Sequence, residues 1–496
     1  MRWWPWQKKN EKKRAYAAAR FDRTVADWIL MNTSADAEIK TSLPALRTRS
    51  RDLGRNNDYV RAAFRDLQVN VVGKGVGFQA QVKMQRGGAL NQVLNDQIET
   101  AWCRWSRKQH CHVAGKLSFS DIERVAIRSI AESGEILIRI ITQSFGGGKI
   151  PLALEVIESD QLDDTYNGIA ANGNAIRMGV EFDRWSRPEA YYLLPKHPGD
   201  FPFGTTSVQN QQTKKHIRVP AEEIIHLMIT DRPGQTRGVP WLVSAILRLR
   251  HMGGFEEASV ISARASAAVM GFIETPDGEL HGDGTDGDQR VTDFEPGIFK
   301  QMNPGEKVNV PNFGTPNAQF DSFMRSMLRG FASGIGGSAT TISGDFSQSN
   351  YSSSRLELLT VRDFYQIIQG WMIENFHQVV YERWLDLAVL SGALSLPKFE
   401  VNPEAYYEAC KWQPRGWQWV DPAKDVQASR DAVAAGFMTQ SDVIAQMGGD
   451  FDDVITRRKY ELDVAKENDL EFESEAGGKA SGMPSEAPPA SLQNTD

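Results

Sequence analysis

One long apolar series constrains this chain more than any other feature of its sequence. After Ser354 and Glu357, which have the spacing of an N-terminal capping box, large apolar residues recur at three- and four-residue steps until about Gly392. They are Leu356, Leu359, Phe364, Ile367, Ile368, Trp371, Phe376, Val379, Val380 and Trp384. At ~1.5 Å per residue, this series predicts a helix of nearly 60 Å. A helix of that length needs packing partners along its whole length.

The composition is that of a large globular chain. Its 496 residues are 41% hydrophobic and 24% charged, which is ordinary for soluble proteins, and at roughly 150 residues per domain they predict about three domains. The most apolar stretch, residues 260–273, contains Arg264 and two serines, so no membrane span is predicted. Three cysteines and a start without an apolar core predict a reducing compartment and no signal peptide.

The first half of the chain predicts a mixed α+β domain. Asn57 can cap a helix with apolar residues at helical spacing, and Gly73 ends it. Two more helices are predicted, one over residues 92–107 and one over 120–132 that opens with a Ser120–Glu123 capping box. Runs typical of strands follow at residues 135–142, 152–157, 175–183, 191–194 and 224–229. Their alternation and turn signals favour an antiparallel sheet within residues 73–230.

The second half is predicted to be mostly helical. A helix rich in Ala and Ser over residues 239–271 is followed by a Gly-, Pro- and Asp-rich segment, 275–316, and a shorter helix, 317–333. A Gly/Ser-rich loop, 334–351, then leads into the long helix, and residues 421–468 are helical again. At the two ends, residues 14–31 predict a short amphipathic helix after a basic arm, and the tail from Ser474 is predicted to be disordered.

Motifs for catalysis or metal binding are weak. The Gly148-Lys149 pair lacks the Ser or Thr of a P-loop, and HGDGTDGD (281–288) has G-x-G-x-x-G spacing without a flanking strand and helix. Cys103, His110, Cys111 and His112 resemble zinc ligands by residue type only. The glycine-rich stretch around Ser338 misses the G-x-S-x-G pattern of serine hydrolases. We therefore expect no catalytic residue, no cofactor and no metal ion.

The charge is unevenly distributed along the chain. The net charge is −7, yet the first twenty residues hold seven Lys or Arg and one Glu, while the tail is acidic. The body between them is acidic too, which argues against a surface that grips duplex DNA by counterion release.

Five strings taken together resemble the portal proteins of lambda-type tailed bacteriophages, the head-tail connectors. They are RNNDYVRAAFRDLQVNVVGKGVGF (55–78), RPGQTRGVPWL (232–242), FEPGIFKQMNPGE (294–306), SGDFSQSNYSSSRLELL (343–359) and WQPRGWQWVDPAKD (412–425). Each is weak alone, but they occur in the expected order across most of the chain.

The resemblance implies a mainly helical α+β fold with portal architecture. It divides the chain into a basic N-terminal arm and helix (1–30), an α+β wing (31–236), a stem helix (237–274), a clip (275–316), a second stem helix (317–334), a tunnel loop (335–352), a long wing helix with the segment after it (353–410), C-terminal crown helices (411–470) and a disordered acidic tail (471–496).

The resemblance also implies a function without catalysis. Twelve copies would form a ring at one capsid vertex, a channel through which double-stranded DNA is packaged and ejected without sequence specificity. The implied partners are the large terminase subunit, head-tail completion proteins, and capsid and scaffold proteins, with no membrane. The implied location is the virion, and the host cytoplasm during assembly.

Within the predicted tunnel loop, seven residues are candidates for facing DNA: Ser343, Gly344, Asp345, Phe346, Ser347, Gln348 and Ser349. The serines and Gln348 can hydrogen-bond phosphates, Asp345 repels them, and Phe346 can make non-specific contact. Two other functions stay open: a metal- or serine-dependent hydrolase using residues 110–112 or Ser338, and a DNA-binding scaffold using the basic, Trp-rich arm of residues 1–20.

Overall fold

The computed structural model describes residues 32–84, 90–200, 216–268, 319–417 and 422–468, with four short strands between positions 272 and 309. The predictions for residues 1–30, for most of 275–316 and for 471–496 lie outside the described residues. None of the described helices is both long and apolar enough to cross a membrane.

The described helices are α1 (Ala35–Asn56), α2 (Asp58–Leu67), α3 (Gln92–Trp105), α4 (Lys108–Cys111), α5 (Phe119–Ser133), α6 (Ile246–Ala268), α7 (Phe320–Ile335), α8 (Ala339–Ser343), α9 (Tyr351–Met372), α10 (Gln378–Leu390), α11 (Glu404–Tyr407), α12 (Pro422–Ala434), α13 (Gln440–Gln446) and α14 (Phe451–Glu467). Two π-helical turns, Gln68–Val72 and Ile373–His377, extend α2 and join α9 to α10. Short 3₁₀ turns lie at Ser159–Gln161, Ala221–Glu223 and Trp241–Ser244.

The described strands are β1 (Gly77–Ala80), β2 (Glu135–Ile141), β3 (Ala153–Ile157), β4 (Gly168–Ile169), β5 (Ala175–Arg177), β6 (Val180–Phe182), β7 (Pro188–Leu193), β8 (Ile217–Pro220), β9 (Ile224–Met228), β10 (Phe272–Glu274), β11 (Gly284–Asp286), β12 (Gln289–Val291), β13 (Lys307–Asn309) and β14 (Cys410–Gln413). All of their ladders are antiparallel, which confirms the predicted sheet type.

Two sheets dominate the region predicted to be the wing. One has the order β3-β2-β9, and the other is a five-stranded meander, β4 to β8. The central strand β2 is almost wholly buried because α5 packs on it from within the main core. Residues on the far side of β2, such as Leu137, join a second core with Val180 and Tyr191 of the meander. Strand β2 therefore lies between the two hydrophobic cores and contributes side chains to both.

The predicted long helix is continuous from α9 through the π turn to α10. Its second half is buried in an aromatic cluster, where Trp384 packs against Trp102 and Trp105. Its first half is different, since Leu356 is 67% exposed and Ile367 is 71% exposed. Burial begins partway along α9, where Tyr365, Ile368 and Gln369 are already inside, so among the described residues the apolar side chains before this point are covered least.

Both predicted capping boxes are wrong by a few residues. The box of α5 is Ser118 with Asp121, because Glu123 is turned into the core, where it bonds His377 and the Val76 backbone N–H. The long helix begins at Tyr351, earlier than predicted, because the Asn350 side chain accepts the hydrogen bond of the Ser353 N–H.

Three further regions differ from the prediction. The helix predicted for the stem, α6, starts only at Ile246, after a 3₁₀ turn, and position 272 already lies in a strand. Residues 284–286 of the stretch HGDGTDGD, for which the sequence predicts no flanking strand, are themselves a strand paired with 289–291. The region predicted as one loop, 335–352, contains the short helix α8.

Candidate functional site

The region between α7 and the long helix is held close to both helices. Helix α7 ends at Ile335, and the next residue, Gly336, has a left-handed backbone (φ 76°). A Cβ on any other residue at this position would lie 2.7 Å from the Phe364 ring. Only glycine permits both the turn and this approach. The chain is thereby forced back along the long helix instead of away from it.

Helix α8 follows because Ser338 caps it. The Ser338 hydroxyl accepts the Thr341 N–H at 3.1 Å and lies 2.8 Å from the Thr340 hydroxyl. Thr340 in turn donates to Glu357 of the long helix at 3.0 Å. Ser343 closes α8 by donating to the Ala339 carbonyl at 2.7 Å. These bonds attach α8 to the long helix.

The candidate residues then form a tight surface turn. Gly344 has a left-handed backbone (φ 70°), and the Asp345 carboxylate accepts the Ser347 N–H at 3.0 Å, an Asx turn. Phe346 at the tip is 62% exposed. Ser347 and Gln348 are exposed as well, whereas Ser343 and Ser349 are half-buried. We call residues 343–349 the 343–349 loop.

Arg325 of α7 is the main partner of this loop. Its Nε lies 3.0 Å from Asp345 Oδ2 as an ion-pair contact without hydrogen-bond alignment, and its Nη2 donates to Ser347 Oγ at 3.2 Å. The same Nη2 lies 3.0 Å from Asp321, one turn earlier on α7. The bonds from Ser347, together with Arg325, lower the pKa of Asp345. Asp345 is therefore ionised but paired.

A cavity of about 340 Å³ lies between α7, the loop and the long helix. Arg325 and Arg329 line it on one side, and Thr340 and Glu357 on the other. Sequence reasoning predicted the loop residues but missed Arg325, Thr340 and Glu357. The available signal was the Ser338-to-Thr341 spacing of a helix cap and the Asp321/Arg325 spacing of a helical ion pair.

The alternative zinc ligands do not converge. The Cys111 thiol is buried beside the Ser106 and Leu117 carbonyls, and burial raises its pKa to about 12, which disfavours the thiolate that zinc needs. His110 bonds the Phe145 carbonyl, and His112 accepts the Lys116 N–H. Cys103 is exposed. Each side chain has its own surroundings, so the zinc hypothesis gains no support.

The serine-hydrolase hypothesis also gains no support. The Ser338 hydroxyl is engaged as the cap of α8. Within the described ranges, the one group of His and carboxylate side chains close enough to share an ion is Glu158, Asp160 and His197. Asp160 there already pairs with Arg51, whose guanidinium supplies the positive charge. The arm of residues 1–20, on which the scaffold hypothesis rests, lies outside the described residues.

The chain matches known proteins over most of its length. Residues 21–369 match the sequence profile of the family described as phage portal protein, lambda family. The probable portal protein of Halomonas phage phiHAP-1 is 30% identical over 461 residues, covering 91% of this chain and 86% of that protein. Portal protein B of Escherichia phage lambda is 19% identical and covers 89% of this chain and 87% of its own length.

A solved structure is also similar over most of the chain, at low identity. The neck of a native gene transfer agent particle, computed with C12 symmetry, aligns with a TM-score of 0.45 and 14% identity, covering 81% of this chain and 93% of the other.

Proposed function

Because this chain belongs to the lambda family of phage portal proteins, we propose that its 343–349 loop lies at the wall of the channel through which DNA passes. Portal proteins are structural components of the capsid vertex, and they act as rings in the virion. The finer assignment, which residues meet DNA and which meet partners, is our proposal.

We assign the parts of the ring as the sequence predicts. The α+β wing is residues 31–236 together with 353–410, the stem is 237–274 with 317–334, the clip is 275–316, and the crown is 411–470. The observed succession of elements supports this division, since α6 and α7 flank the clip segment and α8 with the loop leads into the long helix.

Ring closure needs two different patches that meet between neighbouring copies. The stem helices carry exposed apolar side chains suited to such contacts, Leu247 and Ile261 on α6 and Phe323 on α7. We propose twelve copies. We further propose that the clip binds the large terminase subunit and later the head-tail completion proteins, that capsid and scaffold proteins contact the ring, and that it assembles in the host cytoplasm.

The electrostatics of the loop carry the channel proposal. The loop exposes Phe346, Ser347 and Gln348, all neutral, and its single charge, Asp345, is paired with Arg325. A wall dense in cations would hold the polymer through counterion release at every step. A loop whose exposed residues are neutral, and whose one charge is paired with Arg325 of α7, allows DNA to slide past it.

The test is Asp345→Lys in an in vitro DNA-packaging assay with assembled particles. Each subunit then gains two units of positive charge at the loop, so we expect the packaging rate to fall by about tenfold while ring assembly is retained. Two controls separate the causes. Asp345→Asn also removes the pair with Arg325 but adds no cation, and Glu374→Lys makes the same charge change at an exposed site of the long helix.

Two outcomes would contradict this assignment. Packaging by Asp345→Lys rings at the normal rate would remove the loop from the channel wall. An equal fall with Glu374→Lys would mean that overall charge, not the position of the loop, decides the rate.

A further inference from the structure

We propose that Arg325 is the positioning residue of the 343–349 loop, a clamp on the stem helix that sets how far the loop extends. This inference rests on the proposed function only for what the loop faces; the clamp itself is a property of the folded chain. It names a residue that the loop sequence does not contain and that lies on a different helix.

The loop has two halves with different attachments. The first half, at Ser343, is continuous with α8, and α8 is bound to the long helix through Thr340 and Glu357. In the second half, among the described residues, the hydrogen bonds and ion pairs of 345–349 that reach another element all go to Arg325. The remaining bonds of this half are internal to the turn. Loss of Arg325 therefore detaches the tip without unfolding α8.

Arg325 is itself held in place. Its Nη2 contacts Asp321 one turn earlier on α7, and this helix packs into the core through Leu328 and Phe331. The guanidinium thus bridges a rigid helix on one side to a carboxylate and a hydroxyl of the loop on the other. A planar donor group with several N–H bonds suits this bridging, and Lys would supply only a point charge.

The ion pair between Arg325 and Asp345 is weak enough to open. The side chains of Arg325 and Asp345 are 24% and 37% exposed, so water and salt weaken their attraction. The cavity of about 340 Å³ beneath the loop is unfilled by protein and leaves room for the tip to move. Contact with passing DNA can therefore displace the tip, after which Arg325 recovers Asp345.

Hydrogen exchange of the assembled full-length ring tests the clamp directly. In Arg325→Ala we expect the hydrogen-bonded amides of the turn, those of Asp345, Ser347 and Ser349, to exchange about tenfold faster, because local opening is no longer opposed. The amides of 328–335 in α7 and that of Gly344, which bonds α8, should keep their protection. Asp345→Asn should do the same, and high salt should reproduce the change in the unmodified protein. Arg329→Ala is the matched control, since Arg329 lines the same cavity four residues later on α7.

A charge exchange separates positioning from a general structural role. In Arg325→Asp combined with Asp345→Arg, the new arginine faces two carboxylates, Asp321 and the introduced one, so the loop amides should regain most of their protection. Unchanged exchange in Arg325→Ala, an equal increase in Arg329→Ala, or no recovery in the exchanged pair would overturn the clamp.

The clamp and the channel assignment fail in different experiments. If the loop amides respond as expected but Asp345→Lys packages DNA normally, Arg325 positions a loop that does not face DNA. If Asp345→Lys slows packaging while Arg325→Ala leaves the exchange unchanged, the loop faces DNA and is positioned by another contact.

Discussion

Two ion-pair systems of this protein differ in burial, and their roles differ with it. At the start of β2, Glu135 is fully buried and accepts bonds from Arg47 at 2.6 Å, Arg237 at 2.7 Å, His226 at 3.0 Å and the Gly238 N–H at 2.7 Å. In the loop, Asp345 shares one guanidinium at the surface. The first arrangement fixes a geometry, whereas the second holds a geometry that can change.

The buried system joins the two sheets to the segment that precedes α6. Arg237 donates to the carbonyls of Ser159, Leu162 and Met178, between the two sheets, and its neighbour Gly238 leads toward α6. Burial would raise the pKa of Glu135, but the Arg237 and Arg47 guanidiniums and the His226 hydrogen bond hold it well below the ordinary value of 4.5. Breaking such a network leaves buried charges uncompensated, which is costly in free energy.

The largest effect is expected from Glu135→Gln. Two buried arginines lose their counter-charge, so we expect the free energy of unfolding to fall by about 3–5 kcal/mol, measured by urea unfolding at one protein concentration. A loss below ~1 kcal/mol, as small as that of a surface ion pair, would show that the Glu135 network does not fix the local structure more strongly than the Asp345 pair does.

The same variant changes the pH dependence. Since the folded pKa of Glu135 lies below 4.5, its stabilisation is complete above that pH and is lost as the pH falls toward the folded pKa. Gln does not titrate, so the stability of Glu135→Gln should depend less on pH below 4.5 than that of the unmodified protein. Parallel acid curves for the two proteins would contradict this.

The next effect concerns the backbone beside the network. A Cβ on Gly238 would lie 2.1 Å from the Gly134 carbonyl oxygen, and backbone atoms cannot move aside as a side chain does. Gly238→Ala is therefore expected to cost about 1–3 kcal/mol or more in the same unfolding measurement. Gly253→Ala is the control, because nothing lies within 4 Å of its Cβ position in α6 and alanine should stabilise that helix by up to ~1 kcal/mol.

The sequence predicted the elements of both regions better than the contacts between them. The periodic apolar series gave the helix from Asn57 and the long helix, but α1 was missed. Its leucines are few, Pro44 lies inside it, and its buried face also includes Arg47 and Gly54. Arg47 bonds Glu135, and Gly54 lies against Glu132, both of which are far away in the sequence. A buried face that mixes a few leucines with polar residues and glycine gives only a weak apolar period.

The candidate site shows the same limit. Gly344, Asp345 and the serines around them predict a turn from local chemistry alone, and a turn is observed. Arg325 pairs with Asp345 across twenty positions, and only the folded geometry brings them together. Likewise, Glu135 reads as the first residue of an apolar strand until residues 47, 226 and 237 surround it.

The smallest expected effect tests whether burial or position in the fold decides how much an ion pair contributes to stability. Arg139 lies on β2, the same strand as Glu135, and pairs with Glu223 at 2.9 Å, but these side chains are 31% and 38% exposed. If exposure sets the strength of a pair, Glu223→Gln should lower the free energy of unfolding by less than ~1 kcal/mol, and the loss should shrink in high salt. A salt-independent loss as large as that of Glu135→Gln would mean that burial does not decide the strength of an ion pair in this protein. The weakness expected of the Arg325–Asp345 pair could then not be explained by its exposure.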